Sequence, residues 1–160
     1  MDRIDATDAQ ILDLLQTRGR IKRTEIAEAV GLSIPSVSER MRKLEARGVI
    51  DGYHAAVNAK RLGRDITAFV RVRSLGSEHY DAFVDAVTAM DEVLELHSIT
   101  GEGSHLIKVR VANTAALEQL LGSLQALKGV RGTQTSLVLS TLKETRYVRA
   151  EPMTLAPIPD

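Results

Sequence analysis

The sequence predicts an α+β chain in two parts, an N-terminal helix-turn-helix of winged-helix-like type and a C-terminal ferredoxin-like βαββαβ domain. Three observations carry this. Residues 5–48 hold three short segments with helical apolar spacing, punctuated by Gly19, Gly31 and Gly48. Residues 66–142 alternate strand-like and helix-like stretches in the order β-α-β-β-α-β. Between them, residues 58–64 are polar and basic and end on Gly63-Arg64, as a linker does.

In the first part, Ile11, Leu12 and Leu15 give residues 5–18 one apolar face. Thr7 and Gln10 have the spacing of a capping box, and Asp5 and Asp8 suit the positive end of the helix dipole. A second helix over 23–30 sets Ile26, Ala27 and Val30 on one side and stops at Gly31. Ser33 then caps a third helix, Pro35 falls in its first turn, and Val37, Met41 and Leu44 share a face. Residues 49–57 read as a strand kinked at Gly52.

In the second part, strands are expected over 66–73, 93–100, 106–111 and 133–142. Ser77 is expected to cap a helix carrying Phe83, Val84, Val87 and Met90. Asn113 or Thr114 is expected to cap another with Leu117, Leu120, Leu121, Leu124 and Leu127, a stripe too short for a zipper and suited to a core. The predicted boundaries are 1–53 for the helix-turn-helix, 54–64 for a linker strand, 65–150 for the ferredoxin-like domain, and 151–160 for an extended tail rich in proline.

Composition narrows the function. The 160 residues are 44% hydrophobic and 26% charged, which suits a folded chain. Only 3% are aromatic, so each half has a modest core and association should help it. The absence of cysteine removes disulfides, thiolate catalysis and Cys-type zinc sites. The acidic start lacks the order of a secretion signal, and no apolar run nears the ~20 residues that span a bilayer. The cytoplasm is the expected location. Net charge is zero, yet residues 1–64 hold 12 Lys/Arg against 9 Asp/Glu, and the balance reverses beyond.

In a helix-turn-helix the second helix of the motif enters the major groove. Opposite Val37, Met41 and Leu44 lie Pro35, Glu39, Arg42 and Ala46, flanked by Ser36, Ser38 and Lys43. Arg42 and Lys43 suit guanine O6/N7, and Glu39 can accept from cytosine N4. Arg40 and Arg47, nearer the helix edges, are expected on phosphates. Arg23, with Arg18, Arg20 and Lys22, is placed to grip the flanking backbone.

The whole chain resembles the leucine-responsive/asparagine-operon (Lrp/AsnC) family of transcription regulators. The matching residues are Asp5-x-x-Asp8-x-x-Ile11-Leu12, Leu15-Gln16, Gly19-Arg20, Glu25-Ile26-Ala27, Val30-Gly31-Leu32-Ser33, Val37-x-x-Arg40 and Leu44-Glu45-x-x-Gly48-Val49-Ile50-x-Gly52-Tyr53. Further on they are Gly101, Leu106-Ile107-x-Val109, Gly129-Val130-x-x-Thr133-x-Thr135 and Lys143. The resemblance implies double-stranded DNA and a second copy of the chain as partners, with dimers pairing through their sheets and assembling as octamers of four dimers. It implies an amino acid as effector, and no other cofactor. The effector residues it implies are Gly101, Glu102, Gly103, Ser104, Thr133 and Thr135. The glycines would let backbone N–H groups approach a carboxylate, and the threonines add polar contacts. Many members carry an acidic residue followed by Tyr where this chain has Ser104-His105, and a Ser-type cap where it has Lys22. The expected sheet order, last strand–first–third–second, would keep the 101–104 turn from Thr133 and Thr135 within one subunit, so two subunits would complete the pocket.

Other chemistries are weaker. His97, His105 and Glu102 are the one set near enough for a metal or proton site, and ordinary sheet histidines explain them better. No catalytic residue is assigned and no metal is expected. Arg71, Arg73, Lys108 and Arg110 read as an exposed strand face rather than an anion site. Three functions stand side by side: an effector-responsive regulator, which the motifs favour; an architectural, DNA-compacting protein of the same fold; and an enzyme, for which only Glu102 with a histidine is at hand.

Overall fold

A computed structural model describes residues 3–74 and 76–155. The chain divides into two compact units, residues 57–143 and residues 1–56 together with 144–160.

The first unit begins with β1 (Arg3–Ile4), then α1 (Ala6–Thr17), α2 (Arg23–Val30) and α3 (Ile34–Ala46). Asp5 caps α1: its Oδ1 accepts the Asp8 N–H at 2.8 Å, and the Asp8 carboxylate accepts the Asp5 N–H at 3.3 Å. The capping box therefore stands at Asp5–Asp8 and not at Thr7–Gln10, because the acidic pair also serves a cation from α3. Gly31 ends α2 at φ 67°, a left-handed turn that a side chain would strain. The Ser33 Oγ accepts the Ser36 N–H and starts α3 with Pro35 in its first turn. Ile11, Ile26, Ala27, Val37 and Met41 form one core, and Ile4, Ala9, Leu12 and Leu44 a second.

Two expectations fail at the margins of this unit. Residues 49–57, and the linker strand expected over 54–64, form no strand among the described residues: a strand needs a neighbour for its backbone groups, and this stretch has none in the chain. Instead Asn58 caps a 3-10 turn, Ala59–Leu62, closed by Gly63 at φ 73°. The tail also departs from its expected course. Residues 144–150, assigned from sequence to the second part, and the beginning of the 151–160 tail lie on the first unit. There β6 (Met153–Thr154) pairs antiparallel with β1, and Ala150 and Leu155 join the second core. Residues 156–160 lie outside the described residues.

The second unit runs β2 (Ile66–Ser74), α4 (Tyr80–Thr88), β3 (Val93–Ser98), β4 (His105–Val111), α5 (Thr114–Ala126) and β5 (Val130–Leu137). Its antiparallel sheet has the order β3-β4-β2-β5. This is the ferredoxin-like arrangement expected. Alternation along β2 and β4 turns Ala68, Val70, Val72, Ile107, Val109 and Val111 to one face, where Phe83 and Val87 of α4 and Leu120 and Leu124 of α5 cover them. The other face carries Phe69, Arg71, Leu106, Lys108 and Arg110, all half-buried. Asn113 caps α5, as expected. α4 starts later than expected, because the Ser77 carbonyl, rather than its hydroxyl, takes the Tyr80 N–H in a preceding turn. β5 lies upstream of its expected span: past Val138, whose N–H still donates to the Thr67 carbonyl, the chain leaves β2, and Leu139 and Leu142 are more than nine-tenths exposed.

Candidate functional site

α3 presents the expected ridge. Val37, Met41 and Leu44 are buried, while Ser36, Glu39, Arg42 and Lys43 are exposed and Ser38 half-buried. Glu39 organises the cations: Arg42 donates from Nε and a terminal nitrogen to its two oxygens at 2.9 and 2.8 Å, and the Lys43 Nζ stands 3.6 Å away. The Arg42 fork holds the Glu39 carboxyl below its ordinary range, and Glu39 raises the guanidinium in return. These exposed pairs are weak and break at little cost when a better acceptor arrives. Arg23, at the start of α2, is exposed. Arg18 of the preceding loop is paired with Glu25 at 3.0 Å.

Arg40, expected on a phosphate, is engaged within the chain. One of its terminal nitrogens lies 2.7 Å from both the Asp5 and the Asp8 carboxylates, so α3 is clamped to the N-terminus of α1. Asp8 is buried. Burial by itself pushes the Asp5 carboxyl up, but the Asp8 N–H and the Arg40 guanidinium outweigh it and hold it low. The clamp escaped the sequence reading although a signal existed: Arg40 falls three residues after Val37 and four before Leu44, on the inward face. Arg47, at the C-cap of α3, donates to the Arg3 carbonyl at 3.4 Å. A groove of about 470 Å³ runs beside α3, lined by Arg3, Asp5, Ser36, Glu39, Lys43 and Arg47 among others. The Tyr53 hydroxyl donates to Glu45 at 2.8 Å, and burial, then that carboxylate, pushes its pKa up to about 12.

In the second unit, the turn between β3 and β4 is tightly pinned. Ser104 N–H and Oγ both donate to the Val72 carbonyl, at 2.8 and 3.1 Å, and the Ile99 N–H donates to the Ser104 carbonyl. Gly101 and Gly103 both sit at φ 92°. A Cβ on Gly101 would meet nothing within 4 Å, whereas one on Gly103 would lie 3.0 Å from the Val72 carbonyl and 2.7 Å from Arg71. Gly101 is thus the open side of the turn. Glu102 reaches toward Arg71 at 3.8 Å.

Thr133 and Thr135 pair with Val72 and Val70 across β2, and the Thr133 hydroxyl accepts from Gln125 at 2.8 Å. His105 also pairs with Val72, from the other side. The turn and Thr133 therefore stand level in one chain with a single strand between them, about 10 Å apart at two strand spacings. Sheet order separates the two sets as expected, but by less than the order alone suggests.

The histidine pair does not form. His97 is opposite Leu106 while Ser98 is opposite His105, so the two rings lie on opposite faces. His105 is buried against Tyr80 and Phe83; its Nδ1 meets the Ser104 Oγ at 3.0 Å and its Nε2 has no partner. Burial pushes its pKa down. Among the described residues no group of His, Asp and Glu is arranged to hold a metal ion, and no helix is long and apolar enough to cross a membrane.

A capped helix-turn-helix with a polar, cation-bearing recognition face, joined to a ferredoxin-like unit with an open glycine turn, defines a DNA-binding transcription regulator with a ligand-binding domain. Residues 4–51 match the family model for a winged helix-turn-helix DNA-binding domain, and residues 67–148 that of the Lrp/AsnC ligand-binding domain. The chain belongs to the Lrp/AsnC family.

It is 34% identical to the leucine-responsive regulatory protein of Haemophilus influenzae, over 91% of this chain and 89% of that protein. It is 34% identical to the regulator LrpA of Mycobacterium tuberculosis, over 89% and 95%. Among solved structures, a Neisseria meningitidis transcriptional regulator in complex with L-methionine superposes with a TM-score of 0.85 at 30% identity, over 90% of this chain and 95% of that one. The M. tuberculosis feast or famine regulatory protein complexed with L-methionine gives 0.83 at 33%, over 92% and 99%. E. coli AsnC gives 0.85 at 28%, again over 92% and 99%. These relatives are regulators, not enzymes.

Proposed function

We propose that this regulator binds specific double-stranded DNA through α3 and that an amino acid, bound at the 101–104 turn, changes its assembly or DNA affinity. The observation that carries the DNA reading is the ridge of Ser36, Ser38, Glu39, Arg42 and Lys43 on a helix whose opposite side is buried. Arg42 reads a guanine edge after exchanging Glu39 for it; Arg23 and Arg47 hold phosphates. Arg40 is withdrawn from the contact set, since its guanidinium is committed to Asp5 and Asp8.

The effector reading rests on the open, positive-φ Gly101 and on relatives solved with L-methionine. Gly101, Glu102 and Gly103 offer backbone N–H groups and one carboxylate, which suit a zwitterion, while Ser104, its N–H and hydroxyl given to the Val72 carbonyl, holds the turn in shape. Thr133 and Thr135 are about two strand spacings away, too far for the same small head group. A second copy folded over the sheet completes the pocket from its own threonines. We place the working form as a cytoplasmic assembly of dimers, four dimers to an octamer, closed through the half-buried sheet face of Phe69 and Leu106.

The deciding experiment is selection of bound DNA from a random pool, with and without a mixture of the twenty amino acids. The expected result is an enriched sequence with two related half-sites and an enrichment that shifts when the amino acids are present. No enriched sequence, steep salt dependence and indifference to amino acids would leave the DNA-compacting reading instead.

A further inference from the structure

The C-terminal segment 144–155 is bound to the DNA-binding unit by a specific set of contacts. Val148 is held by one side chain at both of its backbone groups: its N–H donates to the Gln16 Oε1 at 2.8 Å and its carbonyl accepts from the Gln16 Nε2 at 2.9 Å. The Tyr147 hydroxyl donates to the Asp13 carboxylate. Met153 and Thr154 pair with Ile4 and Arg3, and Leu155 packs on the core that holds Ile4 and Leu44.

β1 is two residues long and begins the described chain. A strand this short does not hold by itself, and β6 is the partner that pairs with it. What β1 then offers is a seat for α3. Ile4 packs in the same cluster as Leu44, the Arg3 carbonyl takes Arg47, and the next residue, Asp5, takes Arg40. α3 is thus gripped at its middle and at its C-terminal end by residues 3–5, and residues 3–4 are held by the tail.

We propose that segment 144–155 is a positioning element for DNA recognition: by pinning β1 it sets the seating of α3 through Asp5–Arg40 and Arg3–Arg47. This rests on the reading that α3 contacts DNA. Positioning residues of this kind touch no base, so loosening them should hurt the preferred sequence more than random DNA, whose binding depends on total charge.

The test uses the full chain and the sequence enriched from the random pool. Gln16→Ala combined with Tyr147→Phe removes the side-chain hydrogen bonds that hold the tail, leaving the β1–β6 pairing and Leu155 as its remaining contacts, and changes no residue of α3. Its affinity for the enriched sequence should fall by about fivefold or more, with random-sequence binding within about twofold of wild type and the slope against salt unchanged. Arg40→Gln should show the same selective loss, since it removes the cation that one nitrogen now presents to both carboxylates.

A lock separates positioning from general damage. Arg3 and Thr154 face each other across the strand pair and are exposed, and the chain has no cysteine of its own. With Arg3→Cys and Thr154→Cys added to the double variant, oxidation should restore the selective affinity and reduction should remove it. Three results would overturn the proposal: unchanged preference in the double variant, equal loss for both kinds of DNA, or a loss that oxidation leaves in place. If the wild-type chain enriches no sequence at all, the DNA reading itself fails, and the proposal with it.

Discussion

Gly101 and Gly103 offer a measurement in which strain and collision come apart. Both stand at φ 92°, so alanine at either meets the same backbone penalty, on the order of 1–2 kcal/mol. Restricting the unfolded chain returns about 0.4–1 kcal/mol in both cases. Gly101→Ala should therefore destabilise by about 1 kcal/mol, since its Cβ would meet nothing within 4 Å. Gly103→Ala adds a collision with the Val72 carbonyl at 3.0 Å, the group that receives both the N–H and the hydroxyl of Ser104. It also crowds the Arg71 stem at 2.7 Å. Crowding of that kind costs about 1–3 kcal/mol more. Scanning calorimetry of the full chain reads the difference: a shift of the affected transition by roughly 4–8 °C per kcal/mol for a unit of this size. Titration with amino acids is the second readout. Gly101→Ala should keep the fold while losing ligand, because its methyl would occupy the open side of the turn. If Gly101→Ala destabilises as much as Gly103→Ala, the collision with the Val72 carbonyl is not the governing cost and the assignment of an open side is wrong.

Other outcomes follow from the same geometry. Arg42→Ala should weaken the enriched DNA sequence by about 1–3 kcal/mol and relax preference at one position, while Arg23→Ala should weaken all sequences alike, both read by filter binding across a salt series. Glu39→Gln should free Arg42 and Lys43, tightening random-sequence binding and steepening its salt slope. His105 is buried with its pKa pushed below the ordinary 6.5, so the unfolded chain takes up a proton that the folded chain resists. Its contribution is full above pH 6.5 and is lost as pH falls from there toward the folded value. Calorimetry between pH 8 and about pH 5 should show this decline, and His105→Phe should flatten it. Ser104→Asp puts a carboxylate where a hydroxyl now donates to Val72, so thermal unfolding should come earlier by the equivalent of about 1–2 kcal/mol even where calorimetric titration shows tighter amino-acid binding.

The elements that sequence periodicity conveys best are those stabilised locally. The three N-terminal helices, with Ser33, Gly31 and Pro35 as their punctuation, lie close to where side-chain spacing puts them. So do β2, β4 and α5, whose faces are set by alternation or by a leucine stripe. The larger errors share one cause, dependence on a distant partner. Residues 49–57 have strand-like composition but no strand beside them, and the tail looks unstructured until Gln16, Asp13 and β1 are seen to receive it. The Asp5–Arg40 and Asp8–Arg40 pairs span 35 and 32 residues, so helix periodicity marks Arg40 as inward-facing without naming its partners. The turn at 101–104 was legible through its glycines, while the register that sets Thr133 level with it depends on pairing through β2.

The two-part composition of the first unit has a consequence for how the molecule comes into being. On the ribosome, residues 1–56 are made before the ligand-binding unit and residues 144–155 after it. The helix-turn-helix therefore waits for its final strand until the whole of that unit has been made. A chain broken off before residue 144 lacks the strand that pairs with β1, so the full seating of α3 arrives only after a complete ligand-binding unit. Chain order thereby ties selective reading of DNA to a unit already made.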